Sequence, residues 1–224
     1  MPQNTEVPSV MHSSIPPTNV SERSAIVLKW LQKLFPQPEV SLRHHNAFTF
    51  LVAVILSAQC RDERVNQVTA QLFAQADSPE KLHQMPIEVL ETLIHPCGLF
   101  RHKAKFLKQL AEILVRQHQG QVPSSLKDLE NLPGVGHKTA SVMVSQYFHK
   151  NAFPVDTHIH RCARRWGLSN GQNVHQTEKD LCSLYPSKLW RTLHVQIILY
   201  ARKYCPARGH KEEQCPICRE LNST

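Results

Sequence analysis

The chain has 224 residues, enough for one sizeable domain or two small ones. A hydrophobic content of 41% is that of an ordinary folded protein and excludes a fibrous or wholly disordered chain. The net charge of +8 and a pI near 9.2 make an anionic partner plausible, nucleic acid or an acidic membrane surface, beside the plainer reading of a generally basic soluble protein.

Residues 1–20 hold four prolines among Ser, Thr and Asn, with few large apolar groups, which predicts a disordered tail. The start has neither a basic cluster nor an apolar run, so no secretory signal is expected. In SAIVLKWLQKLF, Ile26, Val27, Trp30, Leu31, Leu34 and Phe35 recur at helical spacing. The longest apolar stretch, Ala47 to Ala58, is too short for a bilayer, which needs roughly 20 residues. Its length, and the helical pattern of Val65, Val68 and Leu72 after it, favour a buried helix over a buried strand. Pro79 and Pro86 each suit a first helical turn, with Leu90, Leu93 and Ile94 forming the face of the second of these helices. Phe106, Leu107, Leu110, Ile113 and Leu114 make one stripe that Gly120 stops. PSSLKDLENL opens on capping serines and ends at a Pro-Gly turn. No alternating strands or Asn-Gly hairpins are found, so the fold is expected to be all-α, with about ten short helices. The seven cysteines are odd in number and scattered, which reads as thiols plus possible ligands rather than a disulfide framework.

The segment Leu132 to Phe148, LPGVGHKTASVMVSQYF, carries the most chemistry. Pro133-Gly134-Val135-Gly136 makes a tight turn, and His137 opens a new helix. Glycines there permit unusual backbone angles and close approach, and the free N–H groups of a helix start can hold a phosphate. The G-x-x-x-x-G-K-[ST] spacing of a nucleotide loop is absent, and a plain helix–helix connector is the competing reading. Lys138 stands where the helix dipole disfavours a cation and so favours the neutral, nucleophilic amine; a phosphate-binding lysine also fits the position. Eighteen residues on, Asp156 precedes another helix, either as a simple N-cap or as a carboxylate that stabilises a cationic sugar or activates the attacking group. His158, Arg161, Arg164 and Arg165 bring positive charge beside it, for DNA or as a solvated face.

LPGVGHKTAS followed by VDTHIHR resembles the helix-hairpin-helix DNA glycosylases, and most closely the endonuclease III family. ILSAQCRDERVN is similar to that family's LLSAQ-x-x-D segment, and GLFRHKAKFL to its G-L-Y/F-x-x-K-A segment, so the likeness runs from about residue 24 to 218. The resemblance implies a two-lobed all-α fold. Residues 41–150 would form a six-helix barrel ending in the hairpin, and residues 21–40 with 151–224 a second lobe. It implies Lys138 as the Schiff-base lysine and Asp156 as the catalytic aspartate. Gly134 and Gly136 would hold a DNA phosphate, Gln59 would fill the space of the extruded nucleotide, and Leu99 would wedge into the opposite strand. Asp62 and His158 match family positions near the site. The implied activity is removal of oxidised pyrimidines from duplex DNA with cleavage at abasic sites, by a cytoplasmic monomer acting on the chromosome with no membrane partner. A monofunctional mismatch glycosylase and a non-enzymatic DNA-binding module are the alternatives. His137 stands where the family commonly has arginine, and Ser141 where it commonly has asparagine.

The same resemblance implies a [4Fe–4S] cluster on a C-x6-C-x2-C-x5-C loop. Here Cys205, Cys215 and Cys218 form C-x9-C-x2-C, and Thr224 stands where the fourth cysteine would fall. Three readings stay open. One is a cluster with three cysteines and a substituted or open fourth place. Another is a zinc ion on C-x4-H-x4-C-x2-C using His210. The last is a loop held by packing with no metal.

Overall fold

The computed structural model describes residues 19–223, whose regular structure is all helix with no strand. The tail expected over 1–20 lies, as far as residue 18, outside the described residues. Asn19 and Val20 do not belong to it: Asn19 caps the first helix, α1 (Val20–Leu34), accepting the Glu22 N–H at 2.8 Å.

The apolar run is α2 (Ala47–Ser57), and nine of its eleven residues are buried, which makes it the spine of the first core. Its start explains why the run is a helix. Asn46 Oδ1 accepts the Thr49 N–H at 2.8 Å, and Thr49 Oγ1 accepts the Asn46 N–H at 3.0 Å, a reciprocal capping box that no strand would use. Around it pack α3 (Asp62–Gln75), α4 (Pro79–Gln84), α5 (Ile87–Ile94) and α6 (Phe100–His118). Ser78 caps α4 with Pro79 in its first turn, whereas Pro86 sits one place earlier than expected, as the N-cap of α5. Helix α6 stops where Gln119 and Gly120 turn left-handed and the Gly120 N–H closes on the Leu114 carbonyl at 2.8 Å. The hairpin follows as α7 (Leu126–Glu130) and α8 (His137–Val142), the latter running on into a π-turn over Met143–Tyr147.

The remaining helices are α9 (Thr157–Arg165), α10 (Val174–Leu184), α11 (Ser187–Lys203) and α12 (Pro216–Asn222). Twelve α-helices are therefore present among the described residues, not about ten; seven-residue α12 is too short for periodicity to register. These last helices build a second buried cluster that includes Phe153, Trp166 and Tyr200. Although first in the chain, α1 joins it through Val27 and Leu31. Polar ties secure that return: Glu220 of α12 accepts from Lys29 Nζ at 2.9 Å and Trp30 Nε1 at 2.6 Å. Each fully buried large apolar side chain contributes about 1.5–3 kcal/mol, so the two clusters, not local propensity, stabilise these short helices.

Candidate active site

One cavity of about 640 Å³ is lined from both clusters, by the end of α2, the start of α8, the 155–158 segment and one face of α11. Its lining includes Gln59, Asp62, Lys138, Asp156 and His158, residues that lie far apart in the chain. Such a volume suits a small organic group such as one nucleotide.

Lys138 is the second residue of α8. Burial of its ammonium pulls its pKa below the ordinary lysine value, assisted by the Arg202 charge and opposed by Asp156 and Asp62. Asp156 is the N-cap of α9 and its Oδ1 accepts the His158 and Ile159 N–H groups, each at 2.9 Å. It is thus both an N-cap and a carboxylate of the cavity; among the described residues Oδ2 has no hydrogen-bond partner and remains available. His158 also lines the cavity, with Nδ1 3.2 Å from the Arg161 guanidinium and a pKa lowered mainly by burial.

Asp62, Arg202 and His194 are further polar side chains of the cavity. Asp62 Oδ2 accepts from Ser41 Oγ at 2.6 Å and from Arg202 Nη1 at 2.8 Å. Burial alone would raise the Asp62 carboxyl, but those bonds with the Arg202 and Lys138 charges hold it below the usual carboxylate range. His194 is buried, its Nδ1–H donating to the Pro154 carbonyl at 2.9 Å. Burial, reinforced by Lys138, pushes it down to about 4, so it is neutral near pH 7. Neither His194 nor Arg202 was among the expected site residues. The only signal for them was that His194, with Gln196, interrupts the apolar run Leu193–Tyr200 and that Arg202 flanks it, a pattern that does not say what the groups face.

The hairpin residues divide. Gly134 has φ +75, and a Cβ there would stand 2.9 Å from Phe106 Cβ, so both backbone and packing demand glycine. Gly136 has an ordinary extended φ of −88; it caps α8 without a side-chain bond, and a Cβ added there would meet nothing within 4 Å. Its glycine leaves space beside the free N–H groups rather than permitting an unusual angle. Neither glycine lines the cavity. Gln59 does, from a left-handed residue with φ 55, and Leu99 is also left-handed, φ 59, and 60% exposed outside the lining. The two loops adjoin, since a Cβ at Gly98 would lie 3.9 Å from the Gln59 carbonyl oxygen.

The arginines of α9 correct an expectation. Arg161 donates to the Cys205 carbonyl at 3.0 Å, and Arg165 donates to Cys205 Sγ and to the Pro206 carbonyl, each at 3.1 Å. Arg161 and Arg165 brace the cysteine loop instead of standing as a free DNA-facing or solvated row, whereas Arg164 between them is exposed. All seven cysteines are free thiols. Cys205, Cys215 and Cys218 are buried and gather with His210 so that all four ligand atoms lie within 4.8 Å of one another, a donor set compatible with a metal ion. This group lies outside the cavity lining. Among the described residues, no helix is long and apolar enough to cross a membrane.

Residues 52–187 match the HhH-GPD superfamily base excision DNA repair protein family. The Endonuclease III of Bacillus subtilis (strain 168) is 39% identical over 84% of this chain and 87% of its own length. A solved structure of a non-covalent Endonuclease III–DNA complex superposes with a TM-score of 0.86 at 36% identity, covering 91% of this chain and 95% of that one. A trapped Endonuclease III–DNA covalent intermediate superposes at 0.84 with 37% identity, covering 88% and 93%. The chain belongs to the HhH-GPD superfamily and, within it, to the endonuclease III family.

Proposed function

We propose that this protein is a bifunctional DNA glycosylase and abasic-site lyase of base excision repair, acting on oxidised pyrimidines in duplex DNA. The observation that carries the reading is a lysine amine with a depressed pKa sharing one cavity with a carboxylate, in a fold whose relative is trapped covalently on DNA. The damaged nucleotide leaves the stack and enters the cavity. Lys138 Nζ forms a bond to C1′ as the bond from C1′ to the base breaks, and the electron pair leaves with the base, which takes up a proton. The amine then gives up one proton, O4′ takes up one as the C1′–O4′ bond breaks, and a protonated imine forms between Nζ and C1′. A base in the site or water takes the C2′ proton, the electron pair of that C–H bond moves toward the imine, and the C3′–O bond breaks with its pair leaving on the 3′ phosphate, which cuts the strand. Asp156 Oδ2 faces the positive charge that grows on the sugar and accepts the amine proton, a role worth about 10²–10⁴ in rate.

The two buried clusters act as the two lobes that grip the duplex, with the cavity between them. Gly136 and the start of α8 meet a phosphate, Gln59 occupies the vacated stack, and exposed Leu99 enters the opposite strand, where partial unstacking kinks the duplex. The reading carries with it a monomer that works on chromosomal DNA in the cytoplasm. The chemistry is supplied by Lys138 and Asp156, and the cysteine loop enters no step.

Borohydride trapping on duplex carrying one abasic site tests this. Wild type should form a covalent adduct, and Lys138→Ala should form none while still binding the duplex. Absence of an adduct from wild type, or equal trapping by the variant, would remove the lyase. Base release without an adduct would leave the monofunctional glycosylase standing.

A further inference from the structure

The family resemblance brings an expected four-iron cluster on four thiolates, and the residues present do not fit it. Position 224 is threonine, so the loop offers three sulfurs; a fourth thiol, Cys162 of α9, hydrogen-bonds Cys205 but falls outside the group of mutually close donors. The ligand atoms of Cys205, His210, Cys215 and Cys218 all lie within 4.8 Å of one another. Donors to a single tetrahedral zinc ion sit about 2.3 Å (sulfur) or about 2.0 Å (nitrogen) from it, so they lie about 3.5–3.8 Å from one another. A cubic cluster places each ligand on a different corner with the whole cluster between them, and its ligands stand farther apart than those of one ion. A ceiling of 4.8 Å is nearer the spacing of a one-ion cage than that of a cubic cluster, and an ion would draw the widest pairs in by about 1 Å.

A second observation identifies the fourth donor. His210 Nε2 is buried and has no hydrogen-bond partner among the described residues. A buried imidazole nitrogen left that way costs about 1–3 kcal/mol, and a metal bond removes the penalty. His210 follows Gly209, whose left-handed φ of 67 turns the chain at this point of the long interval between Cys205 and Cys215. The outer contacts suit thiolates. Arg165 Nη1 donates to Cys205 Sγ at 3.1 Å. The Tyr200 hydroxyl lies 3.2 Å from Cys215 Sγ while accepting the Ile217 N–H at 2.8 Å, which leaves its own proton free to donate to a thiolate at that sulfur. Three thiolates and a neutral imidazole on a divalent ion leave one negative charge, and Arg165 faces it.

We infer that Cys205, His210, Cys215 and Cys218 hold one tetrahedral zinc ion in place of an iron–sulfur cluster. Four protein donors close the coordination shell, which makes the site structural. It fastens the end of α11 and the start of α12 to α9 through Arg161 and Arg165, and α9 is the helix that Asp156 begins. Metal content and Lys138 trapping are separate measurements, so either can fail while the other stands.

The test starts with full-length protein, expressed with iron and zinc both supplied and purified without oxygen. Elemental analysis should find one zinc per chain, without stoichiometric iron or acid-labile sulfide. Iron with sulfide, or neither metal, would overturn the inference. Chelator competition should show zinc affinity at least about tenfold lower in His210→Ala and largely restored in His210→Cys. Wild-type affinity in His210→Ala would exclude His210 as a ligand. Should that variant fail to fold, cobalt(II) loaded into wild type and His210→Cys decides. The thiolate-to-cobalt absorption should strengthen with the fourth sulfur, and identical spectra would sink the assignment.

Discussion

Asp156 holds two roles in one side chain, and they separate cleanly by substitution. Oδ1 caps α9 through two N–H groups, while Oδ2 supplies charge to the cavity. Asparagine keeps a capping oxygen and loses the charge; alanine loses both. Asp156→Asn should therefore melt close to wild type and bind abasic duplex, yet turn over about 10²–10⁴-fold more slowly. Asp156→Ala should show the same kinetic loss and a further stability loss of about 1 kcal/mol. Single-turnover kinetics with thermal melts on both variants would check this, and unchanged turnover in Asp156→Asn would remove the carboxylate from the mechanism. Lys138 was legible at this scale because a cation at a helix start is a local anomaly. His194 and Arg202 were not, since what they face is fixed by the packing of α11 against segments 40 to 140 residues away.

At the scale of elements, the end of α2 shows how the fold aims a residue at its site. Lys103 of α6 is buried, and its Nζ donates to the Leu56 carbonyl at 2.9 Å and the Ala58 carbonyl at 2.7 Å. Those are the terminal carbonyls of α2, and Gln59 follows directly in its left-handed conformation. Burial lowers the Lys103 pKa, yet the two carbonyls satisfy the ammonium. Lys103→Met keeps the bulk and removes the donor, leaving both oxygens unpaired. It should lose about 1–3 kcal/mol in urea unfolding. Because Gln59 is then less firmly held, affinity for abasic duplex should fall as well. A stability loss with unchanged affinity would show that Gln59 keeps its place without Lys103. This device joins two of the motifs that carried the family resemblance, SAQ and K-A, but the contact between them was invisible in the chain. Helices whose starts announce themselves, such as α4 with Ser78-Pro79 and α7 with Ser125, were legible. The π-turn at Met143–Tyr147 was not, because no proline or glycine marks it; it packs against α2.

Across the whole molecule, the two clusters meet at the hairpin as well as at the cavity, and one histidine ties them. His137 Nδ1 is 2.6 Å from Glu130 of α7, on the side of the first cluster. Its Nε2 is 2.8 Å from Glu178 of α10, on the side of the second, and the His175 ring stands 6.2 Å away edge-on. With a carboxylate at each nitrogen, both ring atoms donate only when the imidazole is protonated. Partial burial pulls the His137 pKa down, but the bonds and charges of Glu130 and Glu178 outweigh it and raise the pKa above the free value near 6.5. A raised folded-state pKa stabilises the fold fully below about 6.5, and that contribution is lost as pH rises through the folded value. The side chain is 43% exposed, so solvent and salt screen the effect and it is small. His137→Gln supplies the reference, since it keeps a polar group and cannot take the proton. The melting-temperature gap between wild type and His137→Gln should be widest on the acid side of about pH 6.5 and should narrow as the solution becomes alkaline. Added salt should shrink the acid-side gap. A gap that stays flat with pH, or widens upward, would mean that His137 bridges the clusters as a neutral ring and that its charge contributes nothing to holding them together.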